Sequence, residues 1–166
     1  MIILGIDPGL ARAGWGVIEY AGNRFRPLAY GTVTTPAHTP IEDRLATLYD
    51  EMNRIIERYR PDDLAVEELF FNTNATTAIA VAEARGVILL SARLHRVNVF
   101  EYTPSQVKQS VVGYGKAEKA QVIMMIKTIL NLKTAPKLDD TADALAIAVC
   151  HAHTGGSRLR EFYNQN

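Results

Sequence analysis

Four carboxylates in this chain have the type and placing for metal-dependent chemistry. Asp7 closes a short apolar run, Ile2–Ile6, at an Asp7-Pro8-Gly9 turn signal. Glu67 ends a second short run, Leu64–Glu67, just before a loop. Asp140 and Asp143 stand three apart at the start of a helical pattern, so they share one helix face. If the two strands are adjacent and parallel, Asp7 and Glu67 end on one sheet edge, where open α/β sheets form their sites. Two unit charges about 5 Å apart at an effective dielectric of about 20 repel by about 3 kcal/mol. Four acids in one pocket therefore take up protons or recruit cations. The donors are all oxygen, so the expected ion is Mg²⁺, with Mn²⁺ as a substitute, rather than zinc. Two such ions can activate a water and stabilise the leaving oxygen of a phosphodiester.

Around these acids lie groups suited to a nucleic acid. Lys108, Lys116 and Lys119 surround the turn Gly113-Tyr114-Gly115, an arrangement that suits phosphate contact. Phe70 and Phe71 follow Glu67 in a predicted loop, where exposed aromatics can stack on or wedge between bases. Taken singly, each feature has a plainer role. Asp7 can be the first residue of a turn, and the lysines can belong to a solvated helix start. The two phenylalanines can be core residues of a longer strand. Successive strand residues face opposite ways, so only one of Glu67 and Glu68 can enter a site directly. Asp139 is the expected N-cap of the last helix. His151 and His153 are read as surface residues, and Cys150 as a small buried hydrophobe.

The elements that must position these groups follow from periodicity. Ile2–Ile6 reads as a buried strand. Gly14–Tyr20 and Phe25–Thr35 are β-rich and read as a hairpin about Ala21-Gly22-Asn23. Leu45, Leu48, Met52, Ile55 and Ile56 recur at helical spacing between Pro40 and Tyr59. The strand Leu64–Glu67 follows, then an Ala-rich helix over Asn74–Leu94 and a strand over Val97–Tyr102. Thr103 is placed to cap a short helix with Pro104 at its first position. Helices over Ala117–Leu130 and Asp139–His153 complete the order. Strand–helix alternation after an antiparallel meander predicts an α/β fold, a mixed sheet with helices on both faces.

Composition narrows the class. The chain has 166 residues, 48% hydrophobic and 22% charged, which fits one domain of about 100–200 residues and excludes collagen-like and disordered classes. We read one domain over 1–155 and a short flexible tail over 156–166. Cys150 is the only cysteine, so no intrachain disulfide forms, and a reducing cytoplasm is the expected location. The longest apolar run, Ala144–Cys150, is far too short for a membrane span of about 18 residues or more. Net charge is zero but segregated. Residues 85–137 carry nine Lys/Arg against two Asp/Glu, whereas residues 1–84 carry seven against twelve. A basic block beside an acidic one fits a phosphate-binding face next to a metal-binding face, or simply uneven solvated helices.

Five stretches together resemble the RuvC family of bacterial Holliday junction resolvases, over roughly Met1 to His153. They are Ile3-Leu4-Gly5-Ile6-Asp7-Pro8-Gly9, Ala65-Val66-Glu67-Glu68-Leu69-Phe70, Ala84-Arg85-Gly86-Val87, the run from Gln106 to Lys119, and Asp140-Thr141-Ala142-Asp143-Ala144-Leu145-Ala146. The resemblance implies an RNase H-like fold with a five-stranded mixed sheet between helices. It implies a homodimer that resolves four-way DNA junctions by paired symmetric nicks in recombination and repair. It places the metal ligands on Asp7, Glu67, Asp140 and Asp143, phosphate-contacting lysines on Lys108 and Lys119, and a junction-inserting aromatic on Phe70. It also implies a partnership with the RuvA–RuvB branch-migration complex. Asp139 and Glu68 adjoin two of these positions without being demanded by the pattern.

The expected mechanism is two-metal phosphodiester hydrolysis, with Asp7 shared between the ions, Glu67 and Asp143 holding them, Asp140 completing the site and Lys119 stabilising charge on the phosphate. The Ala-rich helix is the expected dimer interface. Three rivals share features with this reading. An actin-like or sugar-kinase-like ATPase has a similar Gly-Ile-Asp-x-Gly opening but needs a second domain. A YqgF-type protein lacks the Val107–Lys119 motif. A catalytically silent junction binder would not need all four acids.

Overall fold

The computed structural model describes residues 1–68 and 75–155, with backbone alone at 75–77 and 155. Phe70, Phe71 and the 156–166 tail lie outside the described residues. The elements run β1 (Ile2–Asp7), β2 (Arg12–Ala21), β3 (Arg24–Thr34), α1 (Ile41–Tyr59), β4 (Asp63–Glu67), α2 (Ala75–Leu94), β5 (Asn98–Tyr102), α3 (Pro104–Val112), α4 (Lys119–Ile129) and α5 (Asp139–Gly155). The sheet order is β3-β2-β1-β4-β5. β1, β2 and β3 pair antiparallel, and β4 pairs parallel with both β1 and β5. This is the expected five-stranded mixed sheet.

The hairpin turns on Gly22 and Asn23, both at positive φ (56° and 62°). Positive φ at both central residues of a two-residue loop matches the right-handed twist of the strands. Pro27 sits in β3, an edge strand where its missing N–H is tolerated, next to a register shift at Val17/Ile18.

Alternation along the strands divides the apolar side chains between two cores. Leu4, Ile6, Val17, Leu64 and Val66 pack with Leu48, Met52, Ile56 and Ile88 of α1 and α2. Ile3, Ile18 and Ala65 pack against Leu145, Ala148 and Val149 of α5, with Val107, Val122 and Ile126 of α3 and α4 behind. The odd-numbered residues of β1 and β4 thus face α5, and Asp7 and Glu67 continue those odd-numbered rows.

Helix α5 lies unusually close to the sheet. A Cβ on Gly5 would fall 2.1 Å from the Ala144 carbonyl oxygen, and one on Gly14 would fall 1.9 Å from that of Asp140. At these two positions no side chain fits between strand and helix, which explains glycines inside strands. The other side of the contact at Gly5 is Ala144 and Ala148, both fully buried.

Two polar anchors fix α5 along its axis. At its start the Thr141 hydroxyl meets Thr32 Oγ1 at 2.9 Å and donates to the Gly31 carbonyl at 3.1 Å. Near its end His151, expected at the surface, is 1% exposed. Its Nε2 lies 3.0 Å from Asp63 Oδ2, and its Nδ1 lies 2.7 Å from the Tyr102 hydroxyl. The correction has a plain cause: α5 stays against the sheet through its last turns, so its inner face remains buried there. His153, on the outer side, is exposed and bonded to Ser110, as expected.

Candidate metal and phosphodiester site

The parallel register does the first part of the assembly. Ile3 pairs with Asp63, Gly5 with Ala65 and Ile6 with Val66. Continued by one residue, that offset sets Asp7 beside Glu67 at the carboxyl ends of β1 and β4, on the face covered by α5. Glu68 points the other way and is exposed, so Glu67 alone of the two enters the site. The close packing of α5 does the rest, since Gly14 seats the backbone of Asp140 and the first turn brings Asp143 over the sheet edge.

The basic side chains come from the α5 side. Thr103 caps α3 as expected: its hydroxyl accepts from Gln106 N–H at 3.1 Å while the Gln106 side chain accepts from Thr103 N–H at 2.8 Å. That helix presents Lys108 into a cleft lined also by Glu67, Val107, Lys119, Val122 and Asp143. Gly113 ends α3 at φ 96°, turning the chain toward α4. Lys119 is the first residue of α4, and its Nζ lies 3.0 Å from Asp143 Oδ2 and 3.3 Å from Asp139 Oδ2. Lys116 is exposed in the turn and does not line the cleft. Asp139 is not the N-cap of α5. The Leu138 carbonyl accepts the first intrahelical bond, from Ala142 N–H, which puts Leu138 at the cap and Asp139 inside the first turn, beside Lys119.

Burial and mutual repulsion load the site with electrostatic tension. Burial, then the charges of Glu67, Asp143 and Asp140, push the Asp7 carboxyl up to about 7, against the opposing pull of Lys119. Glu67 is raised by burial and by Asp143, with Lys108 and Lys119 opposing. Asp143 is raised by burial, although its hydrogen bond to Lys119 works against the shift. Burial disfavours the Lys119 ammonium, but Asp143 and Asp139 outweigh it and hold its pKa above that of an ordinary lysine.

These residues fit a divalent ion. The donor set is four carboxylates, suited to a hard cation. A divalent ion beside Asp7 would oppose the burial and repulsion that push its carboxyl up to about 7. Asp140 Oδ2 is buried and has no hydrogen-bond partner among the described residues. As the side chains stand, no three His, Cys, Asp or Glu among the described residues form a ready metal cluster. Two of the four acids are paired with cations of the chain: Lys119 Nζ lies 3.0 Å from Asp143 Oδ2, and Arg12 Nε lies 3.1 Å from Asp140 Oδ2.

Sequence reasoning placed the four acids and the two cleft lysines, and it missed Arg12 and Gly14. Two glycines inside a strand, Gly14 and Gly16, are the signal that would have found the close helix contact. Nothing in the sequence singles out Arg12.

A family model described as crossover junction endodeoxyribonuclease RuvC matches residues 3–151. A protein of that name from Alkaliphilus oremlandii is 61% identical over 155 residues, 93% of this chain and 94% of its own length. Another from Heliobacterium modesticaldum is 58% identical over 154 residues, 93% and 95% of the two chains. Among solved structures, Thermus thermophilus RuvC in complex with a Holliday junction substrate superposes with a TM-score of 0.90 at 38% identity, covering 93% of this chain and 94% of that one.

Proposed function

The chain belongs to the RuvC family of crossover junction endodeoxyribonucleases, and from that membership we propose that it resolves four-way DNA junctions by paired, symmetric, metal-dependent nicks in recombination and repair. The observation that carries the reading is the convergence of Asp7, Glu67, Asp140 and Asp143 at one sheet edge, beside a cleft holding Lys108 and Lys119.

Asp7, Glu67, Asp140 and Asp143 would together hold two Mg²⁺ ions; Mn²⁺ would substitute. The chemistry such ions would supply there is activation of a water for attack on phosphorus and stabilisation of the strand oxygen that departs. Lys119, which lines the cleft beside Asp143, would donate to the charge that builds on the phosphate. Lys108 would bind the backbone phosphate at the cleft, Lys116 would add a phosphate contact, and Phe70 or Phe71 would insert into the junction.

A two-fold dimer presents identical sites to a junction of matching symmetry. The exposed apolar residues Ile79, Leu90 and Leu94 fall on one face of α2, which makes that helix the proposed interface. Work beside the RuvA–RuvB branch-migration complex and a cytoplasmic setting, with one nuclease domain over 1–155, belong to the same reading. Among the described residues no helix is long and apolar enough to cross a membrane.

A synthetic mobile four-way junction, labelled in turn on each strand, tests the proposal. Paired nicks at symmetric positions are expected with Mg²⁺ and none with EDTA, and duplex DNA and an RNA–DNA hybrid should stay whole. Cutting of the hybrid would instead make the chain a ribonuclease. Tight binding without cutting in Mg²⁺ or Mn²⁺ would make it a junction binder only.

A further inference from the structure

Asp140 is held differently from the other three acids. Its Oδ2 is shut off from solvent and accepts no hydrogen bond among the described residues. The cation beside it, Arg12, brings Nε to 3.1 Å without the alignment a hydrogen bond requires. A carboxylate oxygen closed to solvent and without an aligned donor is poorly served by a guanidinium, which needs direction, and better served by a point cation, which does not.

The two partners also differ in freedom. The backbone of Asp140 is pinned: its carbonyl oxygen lies against Gly14, and Thr141 is bonded to β3. The Arg12 side chain is 55% exposed and has no other acidic partner among the described residues. Arg12 can therefore leave for solvent, whereas Asp140 cannot leave the site.

We propose that Arg12 is a positioning residue that competes with the divalent ion for Asp140: it holds the carboxylate in place in the metal-free chain and yields Oδ2 when an ion arrives. Metal loading at this position is then an exchange of one cation for another, and Arg12 sets how tightly the ion is held. The inference rests on the metal reading above. The opposite role, in which Arg12 orients Asp140 for the ion, predicts the opposite sign, since losing such an orienting partner typically weakens metal binding 10- to 100-fold.

The test is Mn²⁺ binding to the full chain without DNA, followed by the paramagnetic resonance of free Mn²⁺, for the natural chain, Arg12→Ala, Asp140→Asn and the double variant. Arg12→Ala is expected to bind Mn²⁺ about three- to fivefold more tightly, the size set by a half-exposed ion pair. In the Asp140→Asn background the same substitution should gain nothing, because there is no carboxylate to compete for. Unchanged or weaker Mn²⁺ binding by Arg12→Ala overturns the exchange. So does a gain that persists undiminished with Asn at position 140, which would reflect only the loss of a nearby positive charge. A natural chain that takes up no Mn²⁺ overturns the metal reading itself, and the exchange with it.

Discussion

Asp7→Asn is expected to lower junction cleavage by about a thousandfold or more, the rate equivalent of the several kcal/mol that metal assistance supplies, while junction binding persists. The charge of Asp7 feels all three of the other acids, and it lies at the sheet edge that Glu67, Asp140 and Asp143 surround. An amide there keeps the shape and removes the charge. The phosphate contacts lie on Lys108 and its neighbours, on different elements, so binding should survive. Single-turnover cleavage and gel-shift titration of one labelled junction separate the two effects. Wild-type cleavage by Asp7→Asn at saturating Mg²⁺ would remove Asp7 from the metal site.

The same variant carries a signature in stability. The folded chain holds Asp7 up to about 7, far above its ordinary 3.8. Between those values the folded state binds a proton that the unfolded chain has released, so this residue's contribution is fully present below pH 4 and is lost as pH rises through 7. In EDTA at pH 8, Asp7→Asn should therefore be more stable than the natural chain, by up to about 4 kcal/mol. At pH 4 the gain should vanish. Thermal melts at the two pH values read this directly, and a variant that is less stable at pH 8 would contradict the buried-charge account.

Gly14→Ala should cost about a hundredfold in cleavage, the usual penalty for misplacing a reacting group by about 1 Å. Its Cβ would fall 1.9 Å from the Asp140 carbonyl oxygen, so the start of α5 must lift away from β2. Both α5 acids ride on that turn. The fold should persist, because the remainder of α5 stays anchored by the His151–Asp63 pair and the packing of Leu145 and Val149. Overpacking of this kind costs about 1–3 kcal/mol, which circular dichroism melts can register. A folded Gly14→Ala chain that cuts at the natural rate would show that the position of this turn does not govern the chemistry.

Much of this site was legible in the residues, and the reasons differ from residue to residue. Asp7 and Glu67 end short apolar runs, and strand ends are where open sheets collect their chemistry. Asp140 and Asp143 declare a shared face by their spacing. The choice of Glu67 over Glu68 needed the register, because either could turn inward until β4 is paired with β1 at an offset that continues the row Ile3, Gly5, Asp7.

What escaped the sequence was long-range partnership. His151 reads as a surface residue near the chain end, and its partners lie far back in the chain, Asp63 88 positions earlier and Tyr102 49 positions earlier. Asp139 looked like a cap until Lys119 came within reach from α4. Arg12 carries no local signal, since it meets Asp140 only because α5 crosses the start of β2. Pairings of this kind depend on how elements pack, which periodicity along one segment does not encode.

The central claim is that these four carboxylates together hold the catalytic ions. Anomalous diffraction from crystals of the full chain soaked in Mn²⁺ tests it most directly, because it locates each ion and names its ligands. The expected result is Mn²⁺ bonded to Asp7 and shared among Glu67, Asp140 and Asp143, with Lys119 and Arg12 turned away from their carboxylates. Ions bound only to Asp139 or Glu68, or no ion at this sheet edge, would contradict it.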